Sequence, residues 1–123
     1  MEGIAICLIK PDGMDHEGEI KSYLISLGIT IVKEVSLHMV PKDVVYLYPS
    51  LAARPDALAL TCKSMTVGPV KMLLCRSEGI FDRLRSAKQY LRATYKKDNA
   101  KGVVHTSEHK EEAAREIEYF LKA

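Results

Sequence analysis

A histidine near the end of the chain, His105, is placed where a side chain could do chemistry. It follows the short apolar run 102–104 and precedes a polar stretch that starts with Thr106, Ser107 and Glu108. This pattern predicts a strand that ends at a helix N-terminus, where unpaired backbone N–H groups and the helix dipole favour an anion such as phosphate. Because a neutral imidazole is available near neutral pH, His105 is a candidate nucleophile or base. The alternative is a capping or surface histidine in an ordinary strand-to-helix turn.

A lysine follows an apolar run near the other end of the chain. Residues 4–9 are all apolar, and Lys10, Pro11 and Asp12 come next. A continuous apolar run that stops at a proline is typical of a buried central strand. This strand therefore delivers a cation and then a carboxylate at its end, although Lys10 by itself is equally well explained as a surface cation.

Length and composition favour one soluble globular domain over residues 1–123. Hydrophobic residues make up 47% of the chain and charged residues 28%, which excludes a disordered chain. The net charge is only +2, from 18 basic and 16 acidic residues, so nucleic acid is not an expected partner. Basic residues are concentrated between Arg76 and Lys101, where a solvated helix face is the usual explanation.

The cysteines and the apolar runs bear on the compartment. Cys7, Cys62 and Cys75 are odd in number, widely spaced and free of any Cys-x-x-Cys pair, so we expect neither a disulfide framework nor a zinc site. No apolar run has membrane-spanning length, and the N-terminus lacks a signal-peptide pattern. The expectation is a cytoplasmic protein without a membrane partner.

Two motif-like strings lack the chemistry that their motifs require. Residues 105–109 match the His-x-x-Glu-His zinc-peptidase string, but the first histidine follows a strand, and Thr106 and Ser107 are typical helix N-caps. Residues 13–20 have the glycine spacing of a P-loop, yet Glu19 and Ile20 replace its lysine and its serine or threonine. The sequence therefore predicts no metal ligands on the protein.

The order of apolar patterns predicts the fold. Strands are predicted at 3–9, 29–38, 70–75 and 102–104, and helices at 20–27, around 44–48, and at 57–65, 80–91 and 113–121. This order indicates an α/β (α+β) domain, a ferredoxin-like βαββαβ sandwich with a four-stranded antiparallel sheet and extra helices. We expect the helices on one face of that sheet.

Three separated motifs in this order resemble one family, the nucleoside diphosphate kinases. They are Lys10-Pro11-Asp12, Gly68-Pro69-Val70, and the stretch 103–108 with Glu116 eleven residues after His105. The resemblance covers about residues 3–121 and agrees with the predicted ferredoxin-like fold. It implies ping-pong phosphoryl transfer between nucleoside tri- and diphosphates through a phosphohistidine, with Mg²⁺ carried by the nucleotide. It also implies a homo-oligomer.

The resemblance also implies roles for single residues. His105 resembles the phosphorylated histidine, Glu116 the carboxylate that orients it, and Ser107 the serine that supports this carboxylate. The nucleotide-binding positions include the phosphate lysine, the pocket tyrosine, a leucine near the base, two phosphate arginines and the position of a sugar-contacting asparagine. In this chain they are Lys10, Tyr48, Leu60, Arg85, Arg92 and Gly102. Arg83 is the alternative to Arg85.

The chain departs from the family pattern mainly in the nucleotide pocket. Asp56 stands where the family has a phenylalanine that stacks on the base, Gly102 where it has asparagine, Thr106 where it has glycine, and Glu108 where it has aspartate. The stretch between Gly68 and His105 is shorter than in the family. Two hypotheses remain open: an active kinase with a trimmed pocket, and a weakly active or inactive domain for nucleotide sensing or protein interaction.

Overall fold

A four-stranded antiparallel sheet forms the centre of the computed structural model, which describes residues 2–96 and 102–121. Its strand order is β2-β3-β1-β4. The strands are β1 (Glu2–Ile9), β2 (Thr30–Leu37), β3 (Val70–Glu78) and β4 (Val104–Thr106). The helices are α1 (Glu17–Ser26), α2 (Pro41–Leu47), α3 (Pro55–Thr66), α4 (Ile80–Tyr95) and α5 (Lys110–Leu121), with 3₁₀ turns at Pro11–His16 and Pro49–Ala53. The ferredoxin-like prediction is confirmed.

Strand β1 is buried on both faces because helices cover both sides of the sheet. Ala5, Cys7 and Ile9 pack into one core with α1 and α4, while Ile6 and Leu8 pack into a second core with α2, α3 and α5. The expectation of helices on one face was therefore wrong. It holds for α1 and α4, but the extra helices bury the opposite face, which explains why β1 is apolar at every position from 5 to 9.

The last strand differs from its predicted position by two residues. Strand β4 contains Val104, His105 and Thr106 and pairs with β1, so that His105 lies opposite Leu8. The prediction ended the strand just before His105. The imidazole is instead fixed in the middle of a hydrogen-bonded strand, and α5 begins only at Lys110.

A tight turn precedes β4. Val103 has a φ of 77°, and the Val104 N–H donates to the Gly102 carbonyl at 3.0 Å. This is a γ-turn with a left-handed, β-branched residue at its centre, a conformation that costs about 1–3 kcal/mol unless its surroundings enforce it. Two contacts enforce it here: Asp12 Oδ1 accepts the Val103 N–H at 2.8 Å, and the Lys10 N–H donates to the Val103 carbonyl at 2.9 Å.

The connection from α4 to β4 begins later than the sequence predicts. That helix runs to Tyr95, beyond its predicted end at residue 91, and β4 starts at Val104. Of the connecting residues, 97–101 lie outside the described part of the chain. None of the helices in the described ranges has the length and apolar character needed to cross a bilayer.

We predict that Gly13→Ala destabilises the fold, because the new Cβ would lie 2.6 Å from the Val103 carbonyl oxygen. Backbone cannot move aside as a flexible side chain can, so the expected cost is about 1–3 kcal/mol of unfolding free energy. Urea denaturation with a shared m-value measures it.

The matched control is Gly18→Ala. Gly18 lies in the first turn of α1, and no other group lies within 4 Å of the place where a Cβ would be added. The same substitution there should stabilise the protein by about 0.4–1 kcal/mol. Equal effects at both glycines would mean that the loop does not hold the Val103 turn.

Candidate active site

A buried hydrogen bond orients the His105 imidazole. Its Nε2 lies 2.9 Å from Oε2 of Glu116 on α5; the His105 side chain is 11% exposed and that of Glu116 is completely buried. A carboxylate can only accept, so Nε2 carries the proton in this pair. In the neutral ring, Nδ1 then keeps its lone pair and is the nucleophilic nitrogen. The sequence left open which nitrogen meets Glu116, and the geometry selects Nε2.

Glu116 is held in turn by Ser107. The Ser107 Oγ donates to Glu116 Oε1 at 2.6 Å and accepts the Ile6 N–H at 3.0 Å, while the Ser107 N–H donates to the Ile6 carbonyl at 3.0 Å. Ser107 therefore links β1 to α5, and the prediction that it caps a helix was wrong.

His109, not Ser107, caps the start of α5: the Glu112 N–H donates to His109 Nδ1. His109 thus lies on the surface, with its side chain 61% exposed.

Tyr48 contacts the imidazole, Lys10 lies over Tyr48, and Arg92 binds the backbone next to His105. The Tyr48 ring meets it edge-on with centroids 5.1 Å apart, Lys10 Nζ lies 5.7 Å from the Tyr48 centroid, and Arg92 Nη2 donates to the Val104 carbonyl at 3.1 Å. The Tyr48 hydroxyl and Arg92 Nε are buried without a hydrogen-bond partner among the described residues. Buried polar atoms are nearly always paired, so these two groups are suited to binding a polar ligand.

Burial changes the acid–base properties of both groups. It raises the pKa of the Tyr48 hydroxyl, although the Arg92 charge opposes this. It lowers the pKa of the Arg92 guanidinium from its usual value, while Tyr48 and then Glu108 act in the opposite direction. Near neutral pH the tyrosine is therefore a neutral hydrogen-bond donor beside a guanidinium.

A cleft of about 740 Å³ opens beside these groups, large enough for a small-molecule ligand. Its walls come from the end of β1, the Tyr48–Ala53 turn, α3 and α4. They comprise Lys10, Tyr48, Ser50, Leu51, Arg54, Ala57, Leu60, Thr61, Lys63, Ser64, Val67 and Arg92. The described lining includes four cations and no carboxylate, and Leu60 and Val67 are 71% and 74% exposed. The cleft is therefore suited to an anionic ligand with an apolar part.

The structure brings together most of the residues singled out in the sequence. His105, Glu116 and Ser107 form one hydrogen-bonded chain, and Lys10, Tyr48, Leu60 and Arg92 line the adjoining cleft. These contacts depend on β1 and β4 being neighbours, as the fold prediction required.

Two predicted nucleotide residues do not line the cleft. Arg85 lies 3.4 Å from Asp82 and 3.7 Å from Glu108, and Gly102 is buried in the tight turn before β4. The alternative, Arg83, donates to the Leu27 carbonyl at 2.8 Å. Helical spacing alone could not show that Arg85 pairs with an acid next to β4. The geometry does not support Arg85 as the second phosphate arginine.

Sequence reasoning missed two cations in the cleft, Arg54 and Lys63. Arg54 immediately precedes α3, and Lys63 is on it. The Arg54-Pro55 pair was a visible signal, because Pro55 starts α3 and so places Arg54 immediately before this helix. Lys63 had no signal that distinguishes it from an ordinary surface lysine.

An aromatic cluster fastens α2 to α5. Tyr46 stacks on Tyr119 with centroids 3.9 Å apart, Arg115 lies 4.5 Å over the Tyr46 ring, and Arg115 Nη2 donates to the Tyr46 carbonyl at 2.7 Å. Tyr46 is two residues from Tyr48, and Arg115 is next to Glu116. The cluster therefore sets the spacing of the two groups that contact His105.

Glu108 is anchored on the α4 side of β4. It pairs with Lys88 and lies 3.7 Å from Arg85. Desolvation raises the pKa of Glu108, but the hydrogen bond and charge of Lys88, with the Arg85 charge, outweigh this and hold it below its usual value. Glu108 therefore stays ionised and fixes the segment after His105.

We predict that Ser107→Ala lowers the free energy of unfolding by about 1–3 kcal/mol, because it leaves the Ile6 N–H and one oxygen of the buried Glu116 carboxylate each without a partner. Thermal and urea unfolding measure the loss. Ser26→Ala is the control, since Ser26 makes an exposed bond to the Tyr23 carbonyl and should change stability by no more than about 0.5 kcal/mol. A similar small loss at Ser107 would contradict its linking role.

Comparison with known proteins agrees with this geometry. A family model described as nucleoside diphosphate kinase matches residues 4–123. Nucleoside diphosphate kinase 2 of Protochlamydia amoebophila (strain UWE25) is 31% identical over 130 residues, covering 96% of this chain and 90% of that protein.

Two solved structures share the fold. The Aquifex aeolicus nucleoside diphosphate kinase, in an orthorhombic crystal form, has a TM-score of 0.84 at 22% identity and covers all of this chain and 97% of that one. A halophilic nucleoside diphosphate kinase from Halobacterium salinarum, in complex with CDP, has a TM-score of 0.83 at 19% identity, with coverages of 100% and 90%. With its matched family model, its relative at 31% identity and its His105–Glu116–Ser107 arrangement, this chain belongs to the nucleoside diphosphate kinase family.

Proposed function

We propose that this protein transfers the γ-phosphoryl group of a nucleoside triphosphate to a nucleoside diphosphate, with His105 as the transient carrier. The observation that supports this most directly is the Nε2–Glu116 hydrogen bond of 2.9 Å. It leaves Nδ1 as the nucleophile of a ring that lies beside a cation-lined cleft. Family membership supports the same reaction.

In the first half-reaction, the Nδ1 lone pair of His105 forms a bond to the γ-phosphorus. The bond from that phosphorus to the bridging oxygen breaks, and its electron pair leaves on the β-phosphate of the nucleoside diphosphate. The phosphorylated ring becomes positively charged with its proton still on Nε2. Glu116 stabilises that charge without taking the proton, because it is buried and already bonded to Nε2 and to Ser107.

In the second half-reaction, a β-phosphate oxygen of another nucleoside diphosphate attacks the phosphorus. The P–Nδ1 bond breaks, its electrons return to the imidazole, and the ring is neutral again. The same cleft serves both nucleotides, so the first product must leave before the second substrate binds. The kinetics should therefore be ping-pong.

The cations of the cleft are proposed to bind the phosphates. Phosphoryl transfer needs positioning and charge stabilisation more than covalent chemistry from the protein. Lys10 and Arg92 adjoin Tyr48, which contacts the imidazole. We assign them to the transferring phosphoryl group, the Tyr48 hydroxyl to a phosphate oxygen, and the second arginine role to Arg54 in place of Arg85.

Magnesium fits this cleft as a part of the nucleotide. The described lining offers hydroxyls and cations but no carboxylate, and Mg²⁺ commonly binds through one or two carboxylates together with substrate phosphates. Lys10, Arg54 and Arg92 would hold the phosphates that carry the ion. When bound, Mg²⁺ neutralises part of the charge on the β- and γ-phosphates.

The nucleoside is proposed to lie against α3. Leu60 and Val67 form an exposed apolar wall of the cleft, where an aromatic base can displace water. Asp56 is exposed in the first turn of α3, and no aromatic residue other than Tyr48 belongs to the described lining. Base recognition therefore rests on aliphatic contact instead of stacking.

We also propose a cytoplasmic homo-oligomer. All three cysteines are free, and two of them are buried, as suits a reducing compartment. Strand β2 lies at the edge of the sheet, and Val32 is 47% exposed. An edge strand with an exposed apolar residue offers a surface for pairing with a second chain.

We predict that γ-labelled ATP with Mg²⁺ labels the protein on histidine, with acid-labile and alkali-stable label that GDP removes. His105→Asn should abolish the label because Nδ1 is lost. His109→Asn is the control: this histidine is 61% exposed and asparagine is an adequate helix cap, so labelling should persist. A folded wild-type protein that binds ATP but takes no label would disprove the proposed transfer.

We predict that Asp56→Phe increases nucleotide affinity. An aromatic side chain at the start of α3 would add base stacking, worth about 1–3 kcal/mol, which is roughly five- to 150-fold in Kd. Isothermal titration with ADP measures the change, and Asp56→Leu separates stacking from the loss of charge. Equal affinity for all three proteins would place the base elsewhere in the cleft.

A further inference from the structure

A second carboxylate lies beside the imidazole and has no part in the proposed reaction. Glu112 precedes Glu116 by one turn of α5 and is half-buried. One ring nitrogen of His105 and one oxygen from each glutamate all lie within 4.8 Å of one another. Because Nε2 is the nitrogen 2.9 Å from Glu116, it is the nitrogen that faces the helix carrying both acids.

Negative charge exceeds positive charge in the cluster of His105, Glu112 and Glu116. Two glutamates four residues apart on one helix repel each other. The ion pairs within residues 2–96 and 102–121 join no lysine or arginine to either of them, whereas nearby Glu108 pairs with Lys88 and Arg85. A buried charge normally pairs or coordinates a metal ion. Hydrogen bonds satisfy Glu116 and one oxygen of Glu112, but they do not neutralise the two negative charges, which a bound cation would do.

The donors are also held in place before any ion binds. Ser107 fixes one Glu116 oxygen, and the Glu108 N–H donates to Glu112 Oε1 at 2.9 Å. The imidazole is part of a hydrogen-bonded strand. Partial exposure of Glu112 and of the His105 edge gives an ion a way in. A rigid, reachable set of donors loses little conformational entropy on binding.

We propose that His105, Glu112 and Glu116 form a site for a divalent transition-metal ion of the Zn²⁺ type, and that its occupation switches off the nucleophile. One imidazole nitrogen and two carboxylates leave one tetrahedral position for water, as in other open zinc sites. The nitrogen donor favours Zn²⁺ over Mg²⁺ and Ca²⁺, which prefer oxygen ligands. The inhibitory effect rests on the proposed function; the binding does not.

The inhibition follows from a proton balance on the ring. The ion takes the Nε2 lone pair, so the Nε2 proton is released to solvent. Deprotonating both nitrogens is unfavourable, so Nδ1 takes up a proton from solvent, and no net proton is exchanged. The ring stays neutral, but Nδ1 has lost its lone pair and can no longer attack phosphorus.

Direct binding is the primary test. We expect Zn²⁺ titrated into the magnesium-free protein to bind at one ion per chain by calorimetry. Glu112→Gln should weaken this at least tenfold. Glu111→Gln is the matched control, because Glu111 is 82% exposed on the same helical turn, and it should bind like the wild type. Circular dichroism of each variant checks the fold.

Co²⁺ as a spectroscopic substitute identifies the donors. Nitrogen and oxygen ligands give visible absorption without the intense thiolate band that binding at Cys62 would produce. His105→Gln should remove this spectrum. Absence of binding, a thiolate spectrum, or equal affinity of the wild type and Glu112→Gln would each overturn the proposed site.

Phosphohistidine labelling tests the consequence. Each protein is compared with its own metal-free label. We expect micromolar Zn²⁺ to suppress labelling of the wild type and of Glu111→Gln, and to affect Glu112→Gln much less. Stoichiometric binding with labelling unchanged by Zn²⁺ would overturn the switch. A wild-type protein that binds Zn²⁺ but is never labelled would disprove the phosphoryl transfer instead of the site.

Discussion

The hydrogen bond between His105 and the buried Glu116 is the interaction on which the rest of the site depends. A carboxylate without exposure is costly unless it is fully paired, and both of its oxygens are used, one by the imidazole and one by Ser107. These two hydrogen bonds therefore stabilise one orientation and one tautomer of the imidazole. Other residues of the site hold this pair in place or line the neighbouring cleft.

The groups that hold the His105–Glu116 pair in place come from opposite ends of the chain. Ser107 is bonded to Ile6 in β1, and the turn before β4 is bonded through Val103 to Lys10 and Asp12. The strained Val103 conformation persists because the loop after β1 satisfies its backbone groups. The two motifs are therefore one structural unit: the loop that presents Lys10 to the cleft also fixes the strand that carries His105.

The cleft is distinguished by its unpaired polar atoms and by its charge. Within the described residues, Tyr48 and Arg92 have buried polar atoms without partners, and the lining is positively charged. The Glu112–Glu116 pair, which meets the ring at Nε2, leaves negative charge without a counter-cation among the described residues. The imidazole thus has a positively charged cleft and a pair of carboxylates as neighbours. Proposed catalysis and proposed inhibition would use opposite nitrogens of the same ring.

The sequence by itself determined the element order, the ferredoxin-like topology and most of the residues that meet at the site, because apolar periodicity and separated motifs are local signals. It placed β4 two residues early, since Val103 has the side chain of a strand residue and only contacts with Lys10 and Asp12 impose its turn. Only the tertiary structure decided which nitrogen meets Glu116, which arginines face the cleft, and that helices bury both faces of the sheet. Those features depend on side-chain direction and on contacts between elements far apart in the chain. Arg54 and Arg85 look alike as sequence, but one lies over the cleft and the other pairs with acids beside β4.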